Sequence, residues 1–209
     1  MPIVFSRNDG TDSVVAVWKI EESEEELFAM LPVTSSMKLT LDKFRNHSRR
    51  IEWLASRVLL YHFTGKIPEV GYKESGQPYI PDFNKSISIT HTTGYAAIVA
   101  SDKPYAGIDI ERPLERVLRI SERFIHANEK EFIQPDNALN YHTLIWCAKE
   151  TLFKIIATPN VIFNKELEIF PFAIENEGIL NTKVSKGKDD FIYQLFYTAT
   201  TDYYLVWYY

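Results

Sequence analysis

One stretch constrains the possible folds more than any other: Ala106-Gly107-Ile108-Asp109-Ile110-Glu111, answered further along by Trp146-Cys147-Ala148-Lys149-Glu150-Thr151-Leu152-Phe153-Lys154. In the first, Ile108 and Ile110 alternate with Asp109 and Glu111, the two-residue period of a buried strand. The two carboxylates share a face, where each raises the other's pKa and opposes burial. A hard divalent cation removes that conflict, and oxygen ligands of this kind suit Mg2+. The second stretch has helical period. Trp146, Glu150 and Lys154 recur every four residues and line one side. Ile145, Leu152, Ile155 and Ile156 fall largely on another side, which can face a core. A third carboxylate, an ammonium and an aromatic on one helix face, near two strand carboxylates, suit a metal-bound phosphate.

Composition narrows the class. With 209 residues, 45% of them hydrophobic and 24% charged, the chain is long enough for one large domain or two small ones. A net charge of −5 argues against a general nucleic-acid binder, since no broad basic field would collect phosphates. The single cysteine, Cys147, excludes an internal disulfide framework and reads as a small packed residue. The start Met-Pro-Ile-Val-Phe-Ser-Arg does not have the form of a signal peptide. No apolar run approaches the roughly 20 residues of a membrane span. A cytoplasmic protein without a membrane partner is expected.

Taken in order, a β-like segment around Val14–Ile20 leads into an acidic run, Glu21–Leu27, that opens a short helix. A long helix is expected from about Lys43 to Phe63, ended by Gly65. Gly71–Pro81 reads as loop, and Ser86–His91 and Tyr95–Ser101 as paired strands. After the Asp109 strand, a helical region follows Pro113, and a second long helix, capped by Asn137, ends near Ala157. Strands Leu167–Glu175, Asp190–Thr198 and Tyr203–Tyr209 close the chain. Trp53-Leu54-Ala55-Ser56-Arg57-Val58-Leu59 echoes Trp146-Cys147-Ala148-Lys149-Glu150-Thr151-Leu152, and each half supplies one long helix followed by three strands. An α/β (α+β) chain divided into 1–103 and 104–209 is expected, and three matched residues alone leave a duplication open.

Other residues admit both a structural and a chemical reading. His91, after an apolar strand, is either a satisfied structural histidine or a ligand. Arg57 is either a helix-surface residue or a phosphate contact, and Lys38, Lys43, Arg45, Arg49 and Arg50 add positive charge nearby. Lys149 lies about 100° around the helix from Glu150, which suits a structural or a phosphate role equally. Arg112, Arg116, Arg119 and Arg123 are spaced four, three and four apart. If that region is helical they form either a solvated stripe or a positive patch for an acidic partner.

The pair Gly-Ile-Asp-Ile-Glu and Trp-Cys-Ala-Lys-Glu-Thr-Leu-Phe-Lys resembles the double signature of the 4′-phosphopantetheinyl transferases, most closely their surfactin-synthetase-activating (Sfp) type. Thr151 stands where the family has Ser or Ala. The resemblance extends to Ile87-Ser88-Ile89-Thr90-His91, with Thr90 for a usual Ser, and to Gly76-Gln77-Pro78-Tyr79, where Gln77 replaces a Lys and Lys73 is a possible substitute. It also covers Arg57, whereas Tyr61 stands where relatives carry a basic residue. It implies two similar α/β halves related by a pseudo-twofold axis, with an active site in the cleft between them, so that a monomer is sufficient. It further implies Mg2+ on Asp109, Glu111 and Glu150, and Glu150 or Lys154 as catalytic groups. Coenzyme A would be held by Arg57, Lys73, Gly76, Gln77, Pro78, Thr90, His91, Asp109, Trp146, Lys149 and Lys154. The activity implied is transfer of 4′-phosphopantetheine from coenzyme A to a serine of an apo acyl or peptidyl carrier protein, releasing 3′,5′-ADP. The carrier would meet Arg112, Arg116 and Arg119. The alternatives are a metal-dependent nucleotide phosphohydrolase and a non-catalytic protein that binds coenzyme A or a carrier.

Overall fold

Antiparallel pairing runs through every sheet of the protein, whose computed structural model describes residues 2–8 and 13–209. The chain divides into two compact units: residues 1–106 with Tyr209, and Gly107–Tyr208. The division expected from the sequence, 1–103 and 104–209, falls three residues earlier.

The first unit begins with strands β1 (Ile3–Asn8) and β2 (Val14–Lys19), followed by helices α1 (Glu24–Ala29), α2 (Ser35–Leu41) and α3 (His47–Thr64). Two short strands, β3 (Gly71–Tyr72) and β4 (Pro78–Tyr79), form a hairpin, and β5 (Ser86–Thr92) and β6 (Tyr95–Ser101) complete a four-stranded sheet ordered β1-β2-β6-β5. Local chemistry explains the helix ends. Ser23 and Glu26 form a reciprocal capping box at α1, so its acidic first turn is held as well as solvated. The Asn46 side chain accepts from the Arg49 amide to start α3, and Gly65 ends it in the left-handed conformation at φ 62°. Helix α3 buries Leu54, Ala55, Val58 and Leu59 in one cluster with Ala16, Trp18, Ala96, Ile98 and Ala100, the alternate residues of β2 and β6.

The second unit opens with β7 (Gly107–Glu111), a single helical turn α4 (Arg116–Arg119) and three 3-10 turns at Ser121–Arg123, Ala127–Glu131 and Pro135–Asn137. The long helix α5 (Ala138–Ile156) follows, then α6 (Phe163–Glu166), β8 (Leu167–Ile169) and the meander β9 (Glu177–Lys186), β10 (Asp189–Ala199) and β11 (Tyr204–Tyr208). These strands make a five-stranded sheet ordered β7-β11-β10-β9-β8. Asn137 takes the position before α5 but makes no side-chain cap, and Ala157 ends the helix at φ 48°, without the glycine usual there. Leu144, Cys147, Ala148, Leu152 and Ile155 of α5 pack on Tyr204, Val206, Leu180 and Leu195 of the sheet.

The two units share a connectivity. In each, a strand precedes the long helix, a hairpin closes the unit, and the last strand returns antiparallel to that first strand: β2 with β6, and β7 with β11. Trp53 lies on α3 and Trp146 on α5, the long helix of each unit. Pairing with β2 completes β1, which carries no run of β-branched residues to announce it. The span Leu167–Glu175 keeps strand form only to Ile169. No helix among the described residues is long and apolar enough to cross a membrane.

Gly107 sets how closely β7 approaches α5. A Cβ there would lie 2.7 Å from the Thr151 carbonyl oxygen and 2.8 Å from Ile155 Cγ1. Because backbone cannot yield as a flexible side chain can, Gly107→Ala is expected to push strand from helix. The expected cost is about 1–3 kcal/mol, as for other overpacked cores, read as a lower urea midpoint at unchanged m-value.

Candidate functional site

Strand β7 directs Asp109 and Glu111 to the face of its sheet that α5 covers, in register with Val206 and Tyr204 of β11. Asp109 is buried, with 6% of its surface exposed. The Lys154 ammonium donates to its Oδ1 at 2.8 Å and to the Ile108 carbonyl at 2.7 Å. Glu111 accepts from Arg116 Nη2 at 2.7 Å and from the indole N–H of Trp146. Burial and then the Asp109 charge push the Glu111 carboxyl up. Glu150 projects from α5 toward the same acids. It makes no hydrogen bond or ion pair with any described residue, and burial, with the Asp109 charge next, raises its pKa to about 7. The carboxylates are therefore close enough to feel one another, as strand and helix periods required.

The helix motif divides into two jobs. Cys147, Ala148, Thr151 and Leu152 form the packed side. The Thr151 hydroxyl donates to the Val206 carbonyl at 3.1 Å, tying α5 to β11. Burial first, then the Asp109 charge, pushes the Cys147 thiol up, so it is an inert packed residue. Trp146 packs its ring on Phe124 and Phe163, at 5.0 and 5.9 Å between centroids, so its apolar body is core while its N–H reaches Glu111. Lys149, expected among the coenzyme A contacts, has no exposed surface. Its ammonium donates to the carbonyls of Phe124 (2.6 Å), Leu167 (2.8 Å) and Phe163 (3.2 Å) and to Glu129, 2.8 Å from Oε1. Three ammonium hydrogens already have four protein acceptors, which leaves nothing for a phosphate. Of the two roles its position allowed, the structural one applies. Its partner Glu129 escaped sequence analysis; the only signal was its place three residues after His126 in a second capping box.

The basic run also differs from expectation. Helix α4 is one turn, and Arg123 belongs to a separate 3-10 turn after Ile120. Arg112, Arg116, Arg119 and Arg123 therefore do not share one side of a helix. Arg116 is engaged by Glu111, while Arg112 and Arg119 lie before and at the end of the turn.

In the first unit, α3 carries Arg57, which is 4% exposed. Its guanidinium stacks 4.4 Å over the Trp53 ring, Nη1 donates to Ser56 Oγ at 2.9 Å, and Nη2 lies 3.5 Å from the Tyr72 hydroxyl. Nε has no hydrogen-bond partner among the described residues, and burial, only partly offset by Tyr72, pulls the guanidinium pKa down. Strand β5 holds Thr90, buried, and His91, whose ring meets Arg49 and Glu52 of α3. The β3–β4 hairpin is closed by the Lys73 amide on the Gln77 carbonyl at 2.9 Å, with Gly76 at φ 82° in the turn. Lys73, Gln77 and Pro78 line a cavity of about 370 Å3 together with Lys85, Lys103 and Tyr105. Lys73 and Gln77 thus line one cavity, with Lys85 and Lys103 as further ammonium groups on its wall.

A sequence model described as the 4′-phosphopantetheinyl transferase superfamily matches residues 105–205, which hold β7, α5 and the whole acid cluster. Through this region the chain is similar to the 4′-phosphopantetheinyl transferase superfamily. It is 32% identical over 113 residues to 4′-phosphopantetheinyl transferase AcpT of Salmonella typhi, covering 51% of this chain and 58% of that one. It is 26% identical over 123 residues to a 4′-phosphopantetheinyl transferase of Bacillus subtilis, covering 57% and 53%. With 4′-phosphopantetheinyl transferase gsp of Aneurinibacillus migulanus the identity is 33% over 86 residues, covering 40% and 35%. The aligned stretches thus span about half the length of the first two relatives. The likeness to the Bacillus-group proteins agrees with the surfactin-synthetase-activating type.

The superfamily implies Mg2+, for which three carboxylates are candidate donors. Asp109, Glu111 and Glu150 offer hard oxygens, and two of them are held in less ionised form by mutual repulsion and burial, which a divalent cation would relieve. No three acidic, histidine or cysteine side chains among the described residues are gathered as a finished metal sphere, and Lys154 occupies Oδ1 of Asp109. The donors fit the ion in kind, with Lys154 as its competitor at Asp109.

Lys149→Met would strand the Glu129 carboxylate in the core. Breaking such a pair is expected to cost about 3–5 kcal/mol. Lys149→Met with Glu129→Gln should regain part of that loss, because the second change removes the orphaned charge. Urea denaturation of the single and double variants measures both.

Proposed function

We propose that the chain transfers the 4′-phosphopantetheine group from coenzyme A to a serine hydroxyl of an apo acyl or peptidyl carrier protein, releasing 3′,5′-ADP, as a monomeric cytoplasmic enzyme. One observation carries this reading: the acids Asp109, Glu111 and Glu150 and the Lys154 ammonium converge within the superfamily's matched region. Mg2+ held there by the three carboxylates would offset the charge that develops on the diphosphate leaving group.

The chain's own residues then have distinct tasks. Lys154, held at Asp109 and the Ile108 carbonyl, presents an ammonium to the diphosphate. A serine hydroxyl is a weak nucleophile and needs a base within hydrogen-bond reach, worth typically 10²–10⁴ in rate. Glu150 is the candidate, since it alone of the three acids has no hydrogen-bond partner among the described residues. Trp146 and Arg116 orient Glu111. Arg57, buried without an anion, supports phosphate binding by the first unit, and Thr90, His91, Lys73, Gly76, Gln77 and Pro78 support recognition of the nucleotide.

Incubation with coenzyme A, Mg2+ and several apo carrier proteins, followed by intact mass, tests the reaction. Asp109→Ala and Glu111→Ala should each abolish the mass gain with the fold intact, and chelation by EDTA should do the same to the wild type. Full transfer by either variant with metal excluded rejects the assignment.

The carrier is expected to meet Arg112 and Arg119. Because Arg116 is tied to Glu111, its reversal would disturb the acids as well. Arg119→Glu is the cleaner probe. It should raise KM for an acidic carrier several-fold, roughly the effect of one interfacial charge, with little change in kcat. An unchanged KM for every carrier tried counts against the patch.

A further inference from the structure

Beyond Glu111, at the end of the sheet where β7 stops and β11 starts, the second unit holds a cavity of about 410 Å3, within the range of about 300–1,000 Å3 usual for ligand clefts. Pro113, Ile174 and Ala199 give it apolar walls, and Asn140, Asn176, Thr201 and Tyr204 line it with carboxamide and hydroxyl groups. Glu175 is the one charged lining residue among the described residues, so the cavity offers an anion no cation. Tyr204 is 5% exposed and pairs across the strands with Glu111, which puts the two side chains on one face of the sheet.

The hydroxyl of Tyr204 makes no hydrogen bond with any described residue, although its ring packs in the core that α5 covers. It is not one of the enclosed polar atoms that lack a partner, so it opens on the cavity. Burial first, then Cys147, pushes the phenol up, which keeps its proton on and leaves both a donor and an acceptor. The Asn176 carboxamide likewise has no hydrogen-bond partner among the described residues, while Asn140 gives one amide hydrogen to Asn137 and keeps its oxygen. Thr200, by contrast, spends its hydroxyl within its own turn, on the Tyr203 carbonyl and the Asp202 and Tyr203 amides. The cavity thus presents unpaired donors and acceptors together, beside apolar walls and without a cation.

We propose that this cavity receives an uncharged peptide segment of the carrier protein next to its acceptor serine, with the Tyr204 hydroxyl donating to one of its carbonyls and the Asn176 carboxamide oxygen accepting from one of its amides. The proposal rests on the transfer reading above. A serine that reaches the acids brings its chain neighbours with it, and these lie against whatever adjoins the acids. On the Glu111 side that is this cavity. A peptide group carries one donor, one acceptor and no charge, which matches the lining. Small aliphatic side chains of the segment would meet Pro113, Ile174 and Ala199. Pro113 directly follows Arg112, so the neutral segment and the acidic surface of the carrier would be received side by side.

A carrier whose acceptor serine is replaced by alanine binds without reacting, so its affinity can be titrated directly. Tyr204→Phe and Asn176→Ala should each weaken it about two- to tenfold, the loss of one neutral hydrogen bond, and leave coenzyme A affinity unmoved. Thr201→Trp, which fills the exposed rim, should weaken it further. Because the Tyr204 hydroxyl has no partner in the fold, Tyr204→Phe should also keep the wild-type urea midpoint. A fallen midpoint makes that hydroxyl structural and overturns its assignment. Carrier affinity unchanged in all three variants overturns the proposal, while transfer by the wild type shows that the reaction reading survives. Weaker coenzyme A with unchanged carrier affinity gives the cavity to the pantetheine arm, and likewise overturns it. If the wild type modifies no carrier, the transfer reading falls and takes the proposal with it.

Discussion

A buried ammonium governs the geometry of the second unit. Lys149 has lost all its water, which on its own would cost several kcal/mol. It recovers that cost only because Glu129 and three carbonyls, from Phe124, Phe163 and Leu167, converge on one point. Burial still lowers its pKa to about 8 and raises that of Glu129, each pulled back by the other's charge. The carbonyls belong to segments on either side of α5 in sequence, so the ammonium fixes the helix against both at once. Glu150 is the next residue and Lys154 lies little more than a turn beyond. Their direction toward Asp109 follows from how Lys149 is held.

The same helix needs a close approach to β7, and small groups permit it. Gly107 gives way to the Thr151 carbonyl, and Cys147, Ala148 and Thr151 let the helix settle on β11. Much of what reads in sequence as a catalytic signature is thus packing, with Asp109, Glu111, Glu150 and Lys154 as its polar residue set. Periodicity separates the two: the positions four apart face the acids, and those between face the core.

What was legible in the chain was what local periods encode. Alternation at Ile108–Glu111 set the strand, its faces and the proximity of its carboxylates. The apolar period of α3 and its Gly65 cap were visible for the same reason. Contacts between distant segments left no such trace. Glu129 is twenty residues from Lys149, and Arg49 forty-two from His91, with only a capping pattern and a cluster of basic residues to hint at either. Strand β1 exists because β2 offers it a partner, a tertiary cause that its own composition does not carry. The arginines after β7 misled through spacing alone: steps of three and four imply one helix face only if the helix continues, and here it stops after one turn.

Helices α3 and α5 hold matching places in their units, and each carries a tryptophan followed four residues later by a charged side chain. In α5 the pair is Trp146 and Glu150; in α3 it is Trp53 and Arg57. Glu150 is an acid among acids. Arg57 is a cation buried with an indole face and two neutral oxygens for company. A cation–π contact is worth about 0.5–2 kcal/mol, less than the several kcal/mol that desolvating a guanidinium costs. A position under stability alone would favour an apolar residue of similar volume there. Retaining an unneutralised arginine therefore makes sense only if its counter-ion arrives from outside the chain, as a phosphate does. By the same reasoning the surplus of negative charge around Asp109 calls for a cation. The two long helices thus place a half-buried acid and a buried cation at corresponding positions, which suits the metal and diphosphate ligand proposed above.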